Sequence, residues 1–260
     1  MPVTKEVALV TGAASGIGRA ISIAMAEAGR KVACADINYE GAKRTAQTIE
    51  QIGSECLTIK ADVGSTTEIE DMIKMTVSEF GNLNIIVNNA GVTRAADIME
   101  LTEDDWDRMH RVNAKGVFFC LQNAARQMID QGTGGKIINI ASIAGRGFSG
   151  TSNAAYSASK GAVISLTRTA AQQLAKYDIT VNSICPGVTT TEIVAQIAAE
   201  RAKAKGISEK EMMVEMSKGI PLQRPNEPED IAAMAVFLAS SGARNITGQA
   251  YNVDGGLVTS

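Results

Sequence analysis

Histidine is almost missing from this chain. His110 is the one imidazole among 260 residues, which excludes any mechanism that needs two. Aromatic residues make up only 4%, too few for stacking platforms that bind bases. The formal net charge is -3 and no long basic run appears, so a nucleic-acid surface is not expected. Of the four cysteines, Cys34, Cys56, Cys120 and Cys185, none falls in a CxxC pair, which speaks against zinc ligands and disulfides. They are read as buried thiols, and no cluster of metal-ligating residues stands out. No stretch approaches the ~20 apolar residues of a membrane span. Met1-Pro2-Val3-Thr4-Lys5-Glu6 lacks an apolar core of signal-peptide length. A cytoplasmic protein that makes no contact with membrane or nucleic acid is the resulting expectation.

What is present is a large apolar fraction, 45%, which rules out general disorder and supports one large α/β domain or two small ones. Val7-Ala8-Leu9-Val10 has the near-continuous apolar character of a strand buried on both faces. Helical and strand patterns then alternate along the chain. Strands are expected at 31–36, 55–61, 83–87, 136–141, 179–184 and 249–253. Helices are expected at 17–28, 40–52, 66–80, 103–130, 154–176 and 228–239. Such alternation implies right-handed βαβ units and a parallel sheet covered on both faces, a doubly wound α/β fold. No linker rich in Pro, Gly or Ser divides the chain, so residues 1–260 are expected to form one domain. Residues 187–220 break the rhythm. They follow a strand's carboxyl end, where ligands bind in such sheets, and they carry Ile193, Val194, Ile197, Met212, Met213 and Met216. A mobile helical lid over a substrate is the expectation.

Thr11-Gly12-Ala13-Ala14-Ser15-Gly16-Ile17-Gly18 joins the first strand to the first helix. Gly12 permits the tight turn, Gly16 the close approach of a diphosphate, and Gly18 the close packing of helix on sheet. Ser15 and Ile17 lie at the helix N-terminus, whose free N–H groups suit that diphosphate. Asp36 ends the second strand, 18 residues past Gly18, and Ile37 follows it. A carboxylate there accepts hydrogen bonds from the ribose hydroxyls of an adenosine and repels a 2′-phosphate. NAD is therefore expected over NADP. Asp62-Val63 ends the third strand, where the carboxylate could meet an adenine amino group. Asn88-Asn89-Ala90-Gly91 ends the fourth. Asn88 could pin neighbouring strands there, while Asn89, Ala90 and Gly91 could lie against the cofactor.

Tyr156 and Lys160 are four residues apart in Tyr156-Ser157-Ala158-Ser159-Lys160, on one face of an expected helix. A phenol has an unperturbed pKa of ~10, and a nearby cation lowers it. A phenol so tuned can exchange a proton with an alcohol or carbonyl oxygen. Alone, such a pair is most often a solvated helix edge.

Taken together and in this order, these motifs resemble the short-chain dehydrogenase/reductase family over nearly the whole chain, from Thr11-Gly12 to Asp254-Gly255-Gly256. The resemblance implies a Rossmann fold with a seven-stranded sheet, a nicotinamide cofactor and, usually, a homotetramer. It implies that Ser142 hydrogen-bonds the substrate oxygen and that Tyr156 is the acid/base. Lys160 would lower the tyrosine's pKa and hold the nicotinamide ribose, and Asn113 would anchor a water linking Lys160 to solvent. Pro186, Gly187, Val188 and a following threonine resemble the nicotinamide-side loop. The pattern puts that threonine at Thr191, with Thr189 and Thr190 adjacent. Asn153 is expected to lean towards the substrate. The remaining pocket wall is expected from Thr93, Arg94, Ile143, Arg146, Phe148, Val188 and the 192–216 lid.

Stretches such as Gly134 to Asn139 and Tyr251 to Gly256 are similar to those of sugar-alcohol and small-diol dehydrogenases of the family. Oxidation of a secondary alcohol in a polyol, diol or similar small hydroxy compound is the expected activity. A 3-oxoacyl-carrier-protein or acyl-CoA reductase is the alternative. That role normally goes with NADPH, which Asp36 disfavours. A nucleotide sensor of the same fold would be expected to lose the Ser–Tyr–Lys set, and all three residues are present.

Overall fold

The computed structural model describes residues 5–148 and 153–259, and the Ile193 side chain lies outside that description. Seven strands form one sheet: β1 (Val7–Thr11), β2 (Lys31–Asp36), β3 (Cys56–Lys60), β4 (Ile85–Asn88), β5 (Gly135–Ile140), β6 (Ile179–Pro186) and β7 (Ala250–Val253). Their spatial order is β3-β2-β1-β4-β5-β6-β7, and every pairing is parallel. All of β1 and β4 is buried, as continuous apolar runs in a sheet covered on both faces should be.

The helices are α1 (Gly16–Glu27), α2 (Tyr39–Gln51), α3 (Thr66–Phe80), α4 (Glu103–His110), α5 (Val117–Gln131), α6 (Ala154–Leu174), α7 (Glu192–Lys205), α8 (Glu209–Ser217) and α9 (Pro228–Leu238). One apolar core lies between the sheet and α1, α2 and α9, built on Ile21, Met25, Ile49 and Ile231. A second lies on the opposite face, built on Ile69, Met72, Leu121 and Met128 from α3 and α5. Fully burying such side chains contributes ~1.5–3 kcal/mol each.

The chain reverses its winding between β1 and β4. That switch opens a crevice at their carboxyl ends, where ligands bind in open α/β sheets. Two expectations need adjustment. Residues 103–130 are not one uninterrupted α-helix, because Arg111–Gly116 form a π-helical segment between α4 and α5. The 187–220 excursion is two helices, α7 and α8, whose residues Ala198, Ala202 and Met212 form a small core of their own.

The cysteines also depart in detail from the expected buried thiols. Cys56 is only half-buried, and its sulfur lies 3.6 Å from that of Cys34 on the adjacent strand, both remaining free. Burial holds the Cys120 thiol well above its ordinary range. His110 accepts a structural role, its Nδ1 3.0 Å from the Trp106 carbonyl and its ring stacked on the indole. Among the described residues, no helix is long and apolar enough to cross a membrane and no cluster of metal-ligating side chains forms.

Candidate active site

The glycine turn after β1 is held open by its neighbours. Gly12 has φ +68°, and a Cβ there would stand 2.7 Å from Asn89 Nδ2. A Cβ on Gly18 would stand 2.0 Å from the Gly12 carbonyl oxygen, so the turn closes only without side chains. Asn89 fixes the crevice from the other side. Its Nδ2 donates to the carbonyls of Thr11 and Gly12 at 3.0 and 3.1 Å, and its own N–H donates to Thr11 Oγ1 at 3.0 Å. Ser15 stands at the N-cap of α1 without capping it, and the first turn carries no acidic residue. The helix therefore presents free N–H groups to an anion. This cradle fits a dinucleotide diphosphate.

Asp36, at the end of β2, faces the same cavity. Its two oxygens accept from the N–H groups of Ala14 and Asn38 at 2.9 and 2.8 Å. These bonds lock the carboxylate at the rim of the glycine turn, where a ribose would approach. Among the described residues, no ion pair joins Asp36 to a cation. Ile37 is 63% exposed beside it. Asp62 accepts from Gly64 N–H at 2.7 Å and approaches Arg111, while the Val63 side chain packs into the core. Ile37, Asp62 and Val63 thus sit outside the wall of this cavity, unlike Gly12, Ser15, Gly16, Ile17, Gly18, Asn89, Ala90 and Gly91, which line it.

Ser142 follows β5, and α6 carries Tyr156 and Lys160, so strand end and helix face deliver all three side chains to the same cavity wall. Lys160 is buried, and its Nζ donates to the Ile140 carbonyl at 2.7 Å. It stands 5.7 Å from the centre of the Tyr156 ring. Here the spacing argument needs correction. Desolvation pushes the Tyr156 phenol up to about 12, only partly offset by the neighbouring Ser142 hydroxyl, and desolvation pulls the Lys160 ammonium down to about 8. The lysine's hydrogen bond goes to a carbonyl, and burial, not the cation, dominates the phenol.

Asn88 pins strands as expected, its Nδ2 donating to Asn139 Oδ1 at 2.8 Å. Asn113 is fully buried in the π-helical segment. Its amide accepts from Val92 N–H at 2.8 Å and donates to the Val92 carbonyl at 2.9 Å and to Ser159 Oγ at 3.1 Å. The side chain thus splints the loop after β4 to α6 with both of its N–H groups, while Oδ1, which accepts from Val92 N–H, keeps a second lone pair. A Cβ on Gly91 would stand 3.3 Å from Asn113 Oδ1 and 3.5 Å from Lys160 Nζ, so these two groups meet around that glycine.

Asn153 caps α6 instead of leaning into the cavity. Its Oδ1 accepts from Tyr156 N–H at 2.8 Å, and its Nδ2 donates to the Arg94 carbonyl at 2.7 Å. Pro186, Gly187, Val188 and Thr191 all line the cavity, with Thr191 also capping α7. The register left open among the threonines is distributed by the fold. Thr189 is buried and turned to the Gly187 carbonyl, Thr190 bonds Glu227, and Thr191 sits over Gly16. Glu192 was not singled out from sequence, where it reads as an ordinary helix-opening acid. Its Oε2 lies 3.5 Å from where a Cβ on Gly16 would stand, over the uncapped end of α1.

The comparisons with known proteins agree with this geometry. Residues 12–258 match the family model described as enoyl-(acyl carrier protein) reductase. The chain is 42% identical over 262 residues to 3-oxoacyl-(acyl-carrier-protein) reductase FabG of Staphylococcus aureus strain Mu50, covering 99% of each chain. It is 40% identical over 256 residues to galactitol 2-dehydrogenase of Agrobacterium fabrum strain C58, covering 98% of each. A solved short-chain type dehydrogenase/reductase from Mycobacterium marinum superposes with a TM-score of 0.90 at 33% identity, over 99% of this chain and 97% of that one.

The chain belongs to the short-chain dehydrogenase/reductase family. Levodione reductase, another solved structure, superposes equally well, with a TM-score of 0.90 at 30% identity and 97% coverage of both chains. The relatives reduce or oxidise different compounds by their names, at nearly equal identity. Family membership therefore makes this chain an oxidoreductase and leaves its substrate to be argued from the cavity.

Proposed function

We propose that this chain is an NAD-dependent oxidoreductase that interconverts a secondary alcohol and a ketone in a small hydroxy compound. The observation that carries the reading is the convergence of Ser142, Tyr156 and Lys160 on one cavity that also holds the glycine turn and Asp36. The nicotinamide, when bound, supplies the hydride chemistry, accepting a hydride from the carbinol carbon or returning it to the ketone. The protein's part is position and proton transfer. Gly12, Gly16 and Gly18 seat the diphosphate against the start of α1, and Asp36 receives the adenosine ribose. Tyr156 exchanges the proton with the substrate oxygen. Ser142 donates to that oxygen as charge develops on it. Lys160 provides a buried cation beside the phenol and would hold the nicotinamide ribose. Oxidation thus removes one hydride and one proton from the alcohol, and reduction restores both.

Diols and polyols form the starting set of substrates, supported by the galactitol and sorbitol dehydrogenases among the relatives. The FabG relatives support a carrier-linked 3-oxoacyl substrate as the second reading. Asp36 argues against it, because a carboxylate locked at the ribose position disfavours a 2′-phosphate. The reading further carries one domain over residues 1–260, a homotetramer and a cytoplasmic setting. Light scattering of the purified protein tests the assembly. Absorbance of the reduced nicotinamide with NAD, NADP and a panel of alcohols tests the activity. Measurable NAD binding with no turnover of any alcohol or ketone would overturn the proposed function.

A further inference from the structure

Three polar side chains that the sequence assigns to the substrate end, those of Arg94, Arg146 and Asn153, do not line the cavity. Arg94 forms a forked pair with Asp105, with Nε and Nη2 at 2.7 and 2.5 Å from its oxygens. That pair fixes the loop after β4 to α4. Arg146 turns away and donates to the Ala250 carbonyl on β7. The Asn153 amide is spent on Tyr156 N–H, the Arg94 carbonyl and, at 3.4 Å, Thr93 Oγ1. Thr189 and Thr191 are likewise bonded to their own loop and helix.

The wall that remains is apolar. The lid contributes Val194, Ile197 and Met216, and Val92 and Val188 line the same cavity. Among the described residues, Ser142 and Tyr156 line this end and are occupied by the reacting oxygen in the reading given above, and Thr93 lines it with its Oγ1 already accepting from Asn153. A sugar alcohol carries a hydroxyl on every carbon. Burying those hydroxyls against valine, isoleucine and methionine strips their water and returns no hydrogen bonds.

We propose that the substrate bears its carbinol or ketone oxygen next to an aliphatic or alicyclic arm, and that this arm packs under Val194, Ile197 and Met216. Polyhydroxylated chains are disfavoured. This inference rests on the proposed alcohol–ketone chemistry and sets aside the polyols of its starting set. The flexible thioether of Met216 lets the lid fit arms of different shape.

The test compares six-carbon substrates with one another: 2-hexanone and cyclohexanone with NADH, and 2-hexanol, cyclohexanol and a hexitol with NAD. The expected result is a kcat/KM for cyclohexanol or 2-hexanol at least roughly ten-fold above that of the hexitol. Replacing Met216→Gln should lower kcat/KM for the apolar alcohols several-fold through KM, with NADH affinity by fluorescence unchanged. A hexitol used as well as or better than the apolar alcohols overturns the inference while leaving the alcohol–ketone reading intact. If no compound turns over, that reading falls, and calorimetric titration of the NADH complex with cyclohexanone still decides the inference. Binding weakened by Met216→Gln supports the apolar seat, and no binding overturns it.

Discussion

The Lys160 ammonium donates to the Ile140 main-chain carbonyl at 2.7 Å, inside a site where it is almost wholly shielded from water. A buried cation held by one carbonyl dipole is poorly compensated, which is why its pKa falls to about 8 from 10.5. This is a stability cost. Between pH 8 and 10.5 the unfolded chain holds more protons than the folded one, so stability from this group rises with pH, by at most ~1.4 kcal/mol per unit. Below about pH 8 the cost is present in full. Tyr156 works the other way above pH 10, where its phenol, raised to about 12 by desolvation, stays protonated only when folded; that arrangement loses free energy relative to the unfolded phenolate as pH rises. Urea midpoints at pH 7 and 9.5 should show the rise, and Lys160→Met should flatten it. An identical slope in the variant would mean that Lys160 is solvated.

Tyr156→Phe should lower turnover by roughly 10²–10⁴-fold, the usual range for removing a proton-transfer group. NADH affinity should stay within a few-fold of the original, since the ring that packs beside Lys160 remains. Retention of most of the activity would assign the proton transfer elsewhere.

The proposed preference for NAD over NADP rests on Asp36. Asp36→Ala should raise the ratio of NADP to NAD kcat/KM by at least roughly ten-fold, because it removes both an acceptor for the ribose and a repulsion of phosphate. It also frees the N–H groups of Ala14 and Asn38, so a modest drop in thermal midpoint should accompany the change. A constant ratio would show that this carboxylate does not meet the ribose.

Glu192 stands over Gly16 at the open N-terminus of α1, in space that a diphosphate would claim. Like charges there must separate on binding. Glu192→Gln should therefore tighten NADH several-fold, with a smaller dependence of affinity on salt than in the parent protein. Weaker binding in the variant would show that the carboxylate helps to seat the cofactor.

Asn153 caps α6 by accepting from Tyr156 N–H and ties that end to the loop after β4 through two hydrogen bonds, to the Arg94 carbonyl and Thr93 Oγ1. Asn153→Ala should cost ~1 kcal/mol or more of stability by loss of the cap alone. Asn153→Asp, which keeps the acceptor for Tyr156 N–H, should recover part of that in denaturant unfolding. Full stability in the alanine variant would contradict the capping role.

The one-dimensional pattern determined more of this molecule than its composition suggests. Continuous apolar strands, helical spacing and the glycine turn are local signals, and they specify β1, α1 and the parallel sheet without reference to distant residues. The four-residue spacing likewise placed Tyr156 and Lys160 on one helix face. What Lys160 does there was not legible, because desolvation and the Ile140 carbonyl come from an element twenty residues away. The same holds for Arg94, Arg146 and Asn153. As residue types they promise a polar pocket, yet each is claimed by a partner that only the packing brings near: Asp105, the Ala250 carbonyl and the backbone of Arg94 and Tyr156. Side-chain type and spacing fixed which groups exist and which way each element faces. The tertiary structure decided which of them were already spent, because hydrogen-bond partners and loss of water depend on neighbours far away in the chain.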